Sequence, residues 1–483
     1  MRHRPLFLAA FLAYFGVATP LARAGEQSPD RHFEAIARLI TEKMREHHVP
    51  GVALGVIRDG QTTVRGFGVT NLEDPQEVTA DTIFPLASIS KTVTATAVMR
   101  LVERGQLDLS APVRKYLPEF RTQDAALSGA ATVRDLLTHT SGWEGQLSAT
   151  DWGSETMARF AGGLATNLQL APPGAAWSYN NAGFGVAGRI IEVVTGMNVH
   201  DAFADLVFKP LGLVRASTRV GDVATYRLAQ GHRVNAEGKT TVVRPFNLGS
   251  TTPAGGAAMS MTELMNYARF HLGDGSSASG ARVLSHETLT LMRTAQLRKQ
   301  STDDEMGIGW HLRRVGDLRT ASHGGTFSGH ILLLELVPEK NFALAILTNA
   351  STGWRLIQDV ERAALLEYHG VTLAPNQGIA HRGLNETLPP VAPQARQPDL
   401  AAYLGRYVRP MNAVVVRTEK GRLIVQVRPN TGNPDADMPV RFFGPDRAVV
   451  TSGPEQHASV EFIRNAAGVV EWVRVTGRIA RRQ

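Results

Sequence analysis

The segment FPLASISKTVTATAVMRLVERG carries Ser88 and Lys91 three residues apart. On a helix, positions i and i+3 share a face, so the Lys91 amine would lie beside the Ser88 hydroxyl. A serine hydroxyl is a poor nucleophile until a base takes its proton. An amine serves as that base if burial or a neighbouring positive centre brings its pKa toward 7, about three units below its ordinary value. Phe84, Pro85, Leu86, Ile89 and Val93 would supply the apolar surroundings. A nucleophile at a helix start also puts its own backbone N–H where an oxyanion can form. S-x-x-K alone is a common tetrapeptide, and two further groups give it weight. Pro172–Gly183 (PPGAAWSYNNAG) places Tyr179-Asn180-Asn181 in a loop before a helix, and Ala321–Gly329 (ASHGGTFSG) places His323-Gly324-Gly325 ahead of strand-like sequence. A tyrosine can pass protons, an asparagine can orient an amine and a carbonyl, and paired glycines let backbone approach a ligand.

The elements that must position these groups are legible around them. Phe33–His47 has helical spacing, and GVALGVIRDG and QTTVRGFGVT are β-rich runs joined at the hairpin signal Asp59-Gly60. A helix is predicted from Ser88 to Glu103, with Val93, Ala97, Val98, Leu101 and Val102 as its apolar stripe and Gly105 at its stop. The middle of the chain mixes helices (Asp135–Leu137, Met261–Phe270) with Pro- and Gly-rich loops. Strands return at Ile331–Val337 and Phe342–Leu347, the second wholly apolar as a buried strand should be, and Trp354–Tyr368 is a closing helix. Residues 373–398, with Pro375, Pro389, Pro390, Pro393 and Pro398, read as a stiff linker. Residues 399–483 read as a small all-β unit, barrel or sandwich, with turns at Lys420-Gly421 and Ala467-Gly468.

The 483 residues, 43% hydrophobic and 20% charged, are ordinary globular material and exclude a disordered chain or a multi-span membrane protein. The absence of cysteine excludes disulfides, thiolate metal sites and a cysteine nucleophile. Residues 1–24 read as a secretory signal: Arg2, His3 and Arg4, an apolar run from Leu6 to Ala18, then Ala22-Arg23-Ala24 as a small-x-small cleavage site. That run is short of the ~20 residues needed to span a bilayer. The expected location is the periplasm or the exterior, after cleavage near Ala24, with no stable membrane span. A net charge of +7, or +4 without the leader's three arginines, requires no nucleic-acid partner.

In order along the chain, S-x-x-K, Y-x-N and H-x-G resemble the signatures of the serine β-lactamase and penicillin-binding protein-like superfamily, on the branch of class C β-lactamases, D-alanyl-D-alanine carboxypeptidases, D-aminopeptidases and SxxK carboxylesterases. LVERGQLDLSAPVRKYLPEF, VRDLLTHTSG and Gly307-Ile308-Gly309-Trp310 match in style, and LAAYLGRYV resembles the opening of an appended lipocalin-like domain. The resemblance implies an α/β (α+β) fold over residues 25–372: an antiparallel sheet flanked by helices plus an all-helical lobe, with Ser88 between them. It also implies roles. Ser88 forms an acyl-enzyme, Lys91 and Tyr179 share the proton transfers, and Asn181 holds Lys91 and a substrate amide. The N–H groups of Ser88 and Thr326 make the oxyanion hole, with His323, Gly324 and Gly325 lining the site. The substrate class stays open between D-amino-acid peptides or β-lactams and carboxylic esters. The alternative is a non-catalytic penicillin- or cell-wall-peptide-binding protein.

Position 323 is histidine where class C β-lactamases carry a lysine that attracts a β-lactam carboxylate, which favours the peptidase or esterase members. Gly183–Gly188 matches G-x-G-x-x-G but lacks the preceding buried strand of a dinucleotide site, so its glycines are expected to serve packing. No G-x-S-x-G elbow occurs, and no cofactor or metal is expected. Histidines other than His323 are read as surface or satisfied core residues. Arg474, Arg478, Arg481 and Arg482 are read as a solvated basic tail.

Overall fold

A computed structural model of the chain describes residues 30–145, 156–244, 252–299, 304–373, 398–453, 455–456 and 458–483. The expected signal segment lies outside these residues, as does nearly all of the expected linker.

The main sheet has eight strands: β1 (Gly51–Arg58), β2 (Gln61–Gly68), β3 (Leu297–Arg298), β4 (Glu305–Met306), β5 (His311–Val315), β6 (Leu318–Phe327), β7 (His330–Val337) and β8 (Phe342–Thr348). Their order is β2-β1-β8-β7-β6-β5-β4-β3, and every pairing is antiparallel. The hairpin between β1 and β2 turns at Asp59 (φ 50°) and Gly60 (φ 76°), as a two-residue turn with both central residues left-handed requires.

Alternation along the central strands decides which layer each face meets. Val52, Leu54, Val56, Leu344 and Ile346 pack with Phe33 and Ile36 of helix α1 (Arg31–Glu46). The same layer takes Leu356 and Val360 of a C-terminal helix, Gly353–His369. Residues of opposite parity, Ala53, Ile57, Leu332, Leu334 and Leu347, face the other way. There they meet helix α2 (Ser90–Glu103), α3 (Asn181–Thr195) and α4 (Met261–Leu272), the core of a helical lobe. Helix α2 has no solvated face over most of its length: Ser90 to Met99 are all buried. Its threonine hydroxyls are therefore bonded internally, Thr92 to Ile89 O, Thr94 to Pro253 O and Thr96 to Thr92 O.

The C-terminal unit is a closed barrel of eight antiparallel strands, β9 (Gly405–Arg409), β10 (Asn412–Glu419), β11 (Arg422–Pro429), β12 (Met438–Gly444), β13 (Arg447–Val450), β14 (Ser459–Arg464), β15 (Val470–Val475) and β16 (Arg478–Arg482). Closure is made by β16 pairing back to β9, Tyr407 opposite Arg482. The interior is filled: Tyr403 packs 4.9 Å from Phe442 and 4.7 Å from Phe462, ring centre to ring centre, among valines from six strands.

Candidate functional site

The chain leaves the short strand Ile83–Pro85 and turns sharply at Ala87, whose φ of 46° is left-handed although it is not glycine. Such a conformation costs of order 1 kcal/mol or more and persists only where its surroundings hold it. Ser88 sits in the single 3-10 turn Ala87–Ile89, so the α-helix begins at Ser90, two residues after the predicted start. The i, i+3 relation survives: Lys91 Nζ is 3.2 Å from Ser88 Oγ. Lys91 is fully buried and also donates to Ala254 O at 2.7 Å. Ala254 is held by close packing of its neighbour Pro253 on α3, where a Cβ at Gly188 would come within 2.2 Å of Pro253 Cγ. That accounts for one glycine of the G-x-G-x-x-G run as packing. Burial, and after it the positive charge of Arg478, hold the Lys91 amine well below its ordinary pKa.

Tyr179 stands close enough to Ser88 for the serine hydroxyl to favour its ionised form. Burial outweighs that influence and the Arg478 charge, and pushes the phenol up to about 12, so it keeps its proton at neutral pH. Lys91 Nζ lies 5.0 Å from the Tyr179 ring centre. The Tyr179 loop is fixed by His139: Asn180 N–H donates to His139 Nδ1 at 2.9 Å, and Ser178 N–H to His139 O at 2.9 Å. The imidazole lies 4.5 Å from the Tyr179 ring, centre to centre. Asn180 is the N-cap of α3 and Asn181 its first residue. Asn181 lines the cleft at Ser88 together with Ala87, Ala254, Gly255, Thr326 and Phe327. It makes no hydrogen bond to Lys91; that contact, implied by the resemblance, is taken here by Ala254 O.

Strand β6 brings the third group. Its neighbour β5 pairs with it only over Leu318–Ser322, so His323–Phe327 form an edge beside the Ser88 turn. A Cβ at Gly325 would stand 2.6 Å from Leu86 O and 3.2 Å from Ala87 Cβ, so only glycine lets the strand lie against that turn. Thr326 follows, exposed in the cleft. His323 is fully buried and its Nδ1–H donates to Gly324 O at 2.7 Å. Burial, helped by the Lys91 charge, takes its pKa down to about 3, so it is neutral.

His323 is accompanied by two histidines outside the predicted set, His139 and His311, both buried. One ring nitrogen of each of the three lies within 4.8 Å of the others, a spacing that invites comparison with a metal site. The donor set argues against one. Because a backbone N–H fills His139 Nδ1, its Nε2 carries the ring proton and has no lone pair for an ion. A lysine amine, Lys299 Nζ, stands 2.8 Å from His311 Nδ1, a cation where a metal site would place an acid.

The basic C-terminus is not a solvated tail. Arg474 and Arg478 belong to β15 and β16, and this end of the barrel docks on the loop that carries Tyr179. Tyr179 N–H donates to Gly477 O at 2.8 Å, Ile479 N–H to Ser178 Oγ at 3.2 Å, Arg474 Nη1 to Trp177 O at 2.9 Å and Trp472 Nε1 to Leu170 O at 2.7 Å. Leu170, Ala171 and Ala176 pack there against Ile463, Trp472 and Ile479. Barrel closure leaves the outer face of these strands to be buried by a neighbour, which is why Arg474 and Arg478 are not free in solvent, while Arg481 stays exposed.

Together these elements set a hydroxyl, a buried amine and a buried phenol in one cleft on a sheet flanked by helices. The β-lactamase family model matches residues 36–367, more than half of the chain, and the protein belongs to that family. Among curated relatives, penicillin-binding protein 4 of Amycolatopsis lactamdurans is 34% identical over 335 residues, 68% of this chain and 88% of its own length. Among solved structures, SurE is 29% identical with a TM-score of 0.76, covering 94% of this chain and 99% of its own; SurE with D-Leu gives 28% and 0.74 at the same coverage. The class C β-lactamase of Rhodobacter sphaeroides, at 23% identity and a TM-score of 0.58 over 69% of this chain and 98% of its own, shares the fold. No helix among the described residues is long and apolar enough to cross a membrane.

Proposed function

We propose that the protein is an exported serine hydrolase that works through an acyl-enzyme on Ser88, with amides of D-amino-acid peptides as its preferred substrate class. The observation that carries the reading is the Ser88 hydroxyl held 3.2 Å from a fully buried amine, with a buried phenol close beside it. As Ser88 Oγ bonds to the carbonyl carbon, its proton passes to the neutral Lys91 amine. The N–H groups of Ser88 and Thr326 take the developing oxyanion, each such donor contributing about 3 to 4 kcal/mol of transition-state stabilisation. The C–N bond breaks as Tyr179, still protonated at neutral pH, gives a proton to the leaving nitrogen and is reprotonated by the Lys91 ammonium. Water then releases the acyl group along the same route. Asn181 and the backbone of Gly324 and Gly325 orient the substrate.

The preference for D-amino-acid amides over β-lactams rests on the neutral histidine at 323, and gains support from the D-Leu in the structure of SurE. Intact-mass analysis after a fluorophosphonate, and turnover of a D-alanyl anilide beside a chromogenic cephalosporin and a nitrophenyl ester, test both parts. A single adduct that is lost in Ser88→Ala, with the anilide turned over fastest, is expected. Peptide binding without an adduct would instead favour the non-catalytic alternative. Export is tested by the mature N-terminus, expected at Gly25.

A further inference from the structure

We propose that His139, His311 and His323 hold one buried water between their Nε2 atoms, and that this water fastens the loop carrying Tyr179 to strands β5 and β6. The water site stands on its own geometry, while its consequence for catalysis rests on the hydrolase reading above.

All three imidazoles are buried, and the Nε2 of each has no hydrogen-bond partner among the described residues. Each Nδ1 is engaged: that of His139 by Asn180 N–H at 2.9 Å, that of His323 by Gly324 O at 2.7 Å and that of His311 by Lys299 Nζ at 2.8 Å. A buried polar atom without a partner is costly, and three in one cluster call for a shared one. One ring nitrogen of each histidine lies within 4.8 Å of the others. Two nitrogens bonded to one water at about 2.9 Å, at the tetrahedral angle, stand about 4.7 Å apart.

The protons fit the same occupant. Burial holds each histidine well below its ordinary pKa, so each neutral ring has one donor and one acceptor nitrogen. His139 accepts at Nδ1 and therefore carries its proton on Nε2. His311 accepts at Nδ1 from the Lys299 cation and does the same. His323 donates from Nδ1 and keeps a lone pair on Nε2. A water can accept from the first two and donate to the third, which gives it the three bonds usual for a buried water. A metal ion would find a lone pair on His323 alone, and an anion could not donate to His323.

His139 holds this place in a left-handed backbone (φ 61°), a conformation that surrounding contacts must sustain. One side of its ring supports Asn180 N–H, next to Tyr179; the other, through the water, joins His311 and His323, whose strands pair at Ser322–His311. His139 is thereby a positioning residue for Tyr179.

Two measurements on the full chain test this. A crystal structure of wild type fine enough to order internal waters is expected to show one water within hydrogen-bond distance of all three Nε2 atoms. No density there, or density with a metal's anomalous signal, overturns the inference. In His139→Asn, Oδ1 takes the branch position of Nδ1 and can still accept from Asn180 N–H, asparagine tolerates the left-handed backbone, and nothing replaces Nε2. For a D-alanyl anilide, kcat is expected to fall about tenfold with KM unchanged, as for loss of one hydrogen bond that aligns a proton donor. An unchanged kcat overturns the positioning role. Should the variant fail to fold, the wild-type structure decides alone. A wild type without turnover or a Ser88 adduct overturns the hydrolase reading and the positioning role with it, while the crystal structure still decides the water site.

Discussion

The main domain and the barrel both rest on eight antiparallel strands, yet they use their interiors in opposite ways. The sheet is covered on both faces, and its buried space includes polar groups: Lys91, His139, His311 and His323 lie near the Ser88 cleft at 0 or 1% exposure. The barrel interior is aromatic and aliphatic, with Tyr403, Phe442 and Phe462 in mutual contact, so it is a packed body and not a ligand container. Its contribution comes from an outer face, where Arg474, Gly477 and Arg478 meet the Tyr179 loop. Buried polar groups are costly unless satisfied, and a fold that keeps several beside a strained turn concentrates its reactivity there. The barrel keeps such groups out of its core and serves as a stable mount.

Four experiments would break or sharpen this contrast. The largest effect is expected from Lys91→Met: kcat/KM should fall about 10³-fold, as for loss of a positioned base, with folding retained. In wild type, activity should drop as pH falls through the depressed pKa of Lys91, because the amine must be neutral to accept a proton; the residual activity of the variant should lack that limb. Next, Phe442→Ala should destabilise the barrel by about 3 kcal/mol, seen in calorimetry as a shift of one transition. An equal shift of the transition that carries the Ser88 site would show that the two regions unfold as one unit. Gly325→Val should then lower kcat/KM about 10²-fold by pushing β6 from the Ser88 turn and misaligning the substrate. The last is acid sensitivity, slight just below neutral pH and growing with each further unit. His323 and His330 are held neutral in the fold, with pKa values lowered by burial to about 3 and about 4. Below about 6.5 the unfolded chain binds protons that the folded chain refuses, so stability should fall as pH drops, each ring adding about 1.4 kcal/mol per pH unit until it titrates in the fold. Strands β9–β16 contain no histidine, so thermal scans between pH 7 and 4 should move the main-domain transition first.

What could be read beforehand was local. The Ser88–Lys91 spacing, the turns at Asp59-Gly60 and Lys420-Gly421 and the all-apolar run of β8 are each decided within a few residues. The Ala254 carbonyl that holds Lys91 was not legible, because a backbone oxygen leaves no mark on residue type. His139 and His311 were read as ordinary, though each lies within or beside a stretch matching the family, VRDLLTHTSG for His139 and the residue after Gly-Ile-Gly-Trp for His311; that proximity was the available signal. Arg478 offered none. Its meaning comes from about three hundred residues of chain folding back to bring β16 onto the Tyr179 loop, and its charged neighbours in sequence pointed toward solvent instead.

The hydrogen bond from Tyr179 N–H to Gly477 O ties the seam between the two units to the loop that carries Tyr179. A chimera that grafts the barrel of one relative onto the main domain of another would join two half-surfaces shaped for different partners. Swapping the 170–180 loop and the β15–β16 turn as a matched set is the cut that keeps such a hybrid whole.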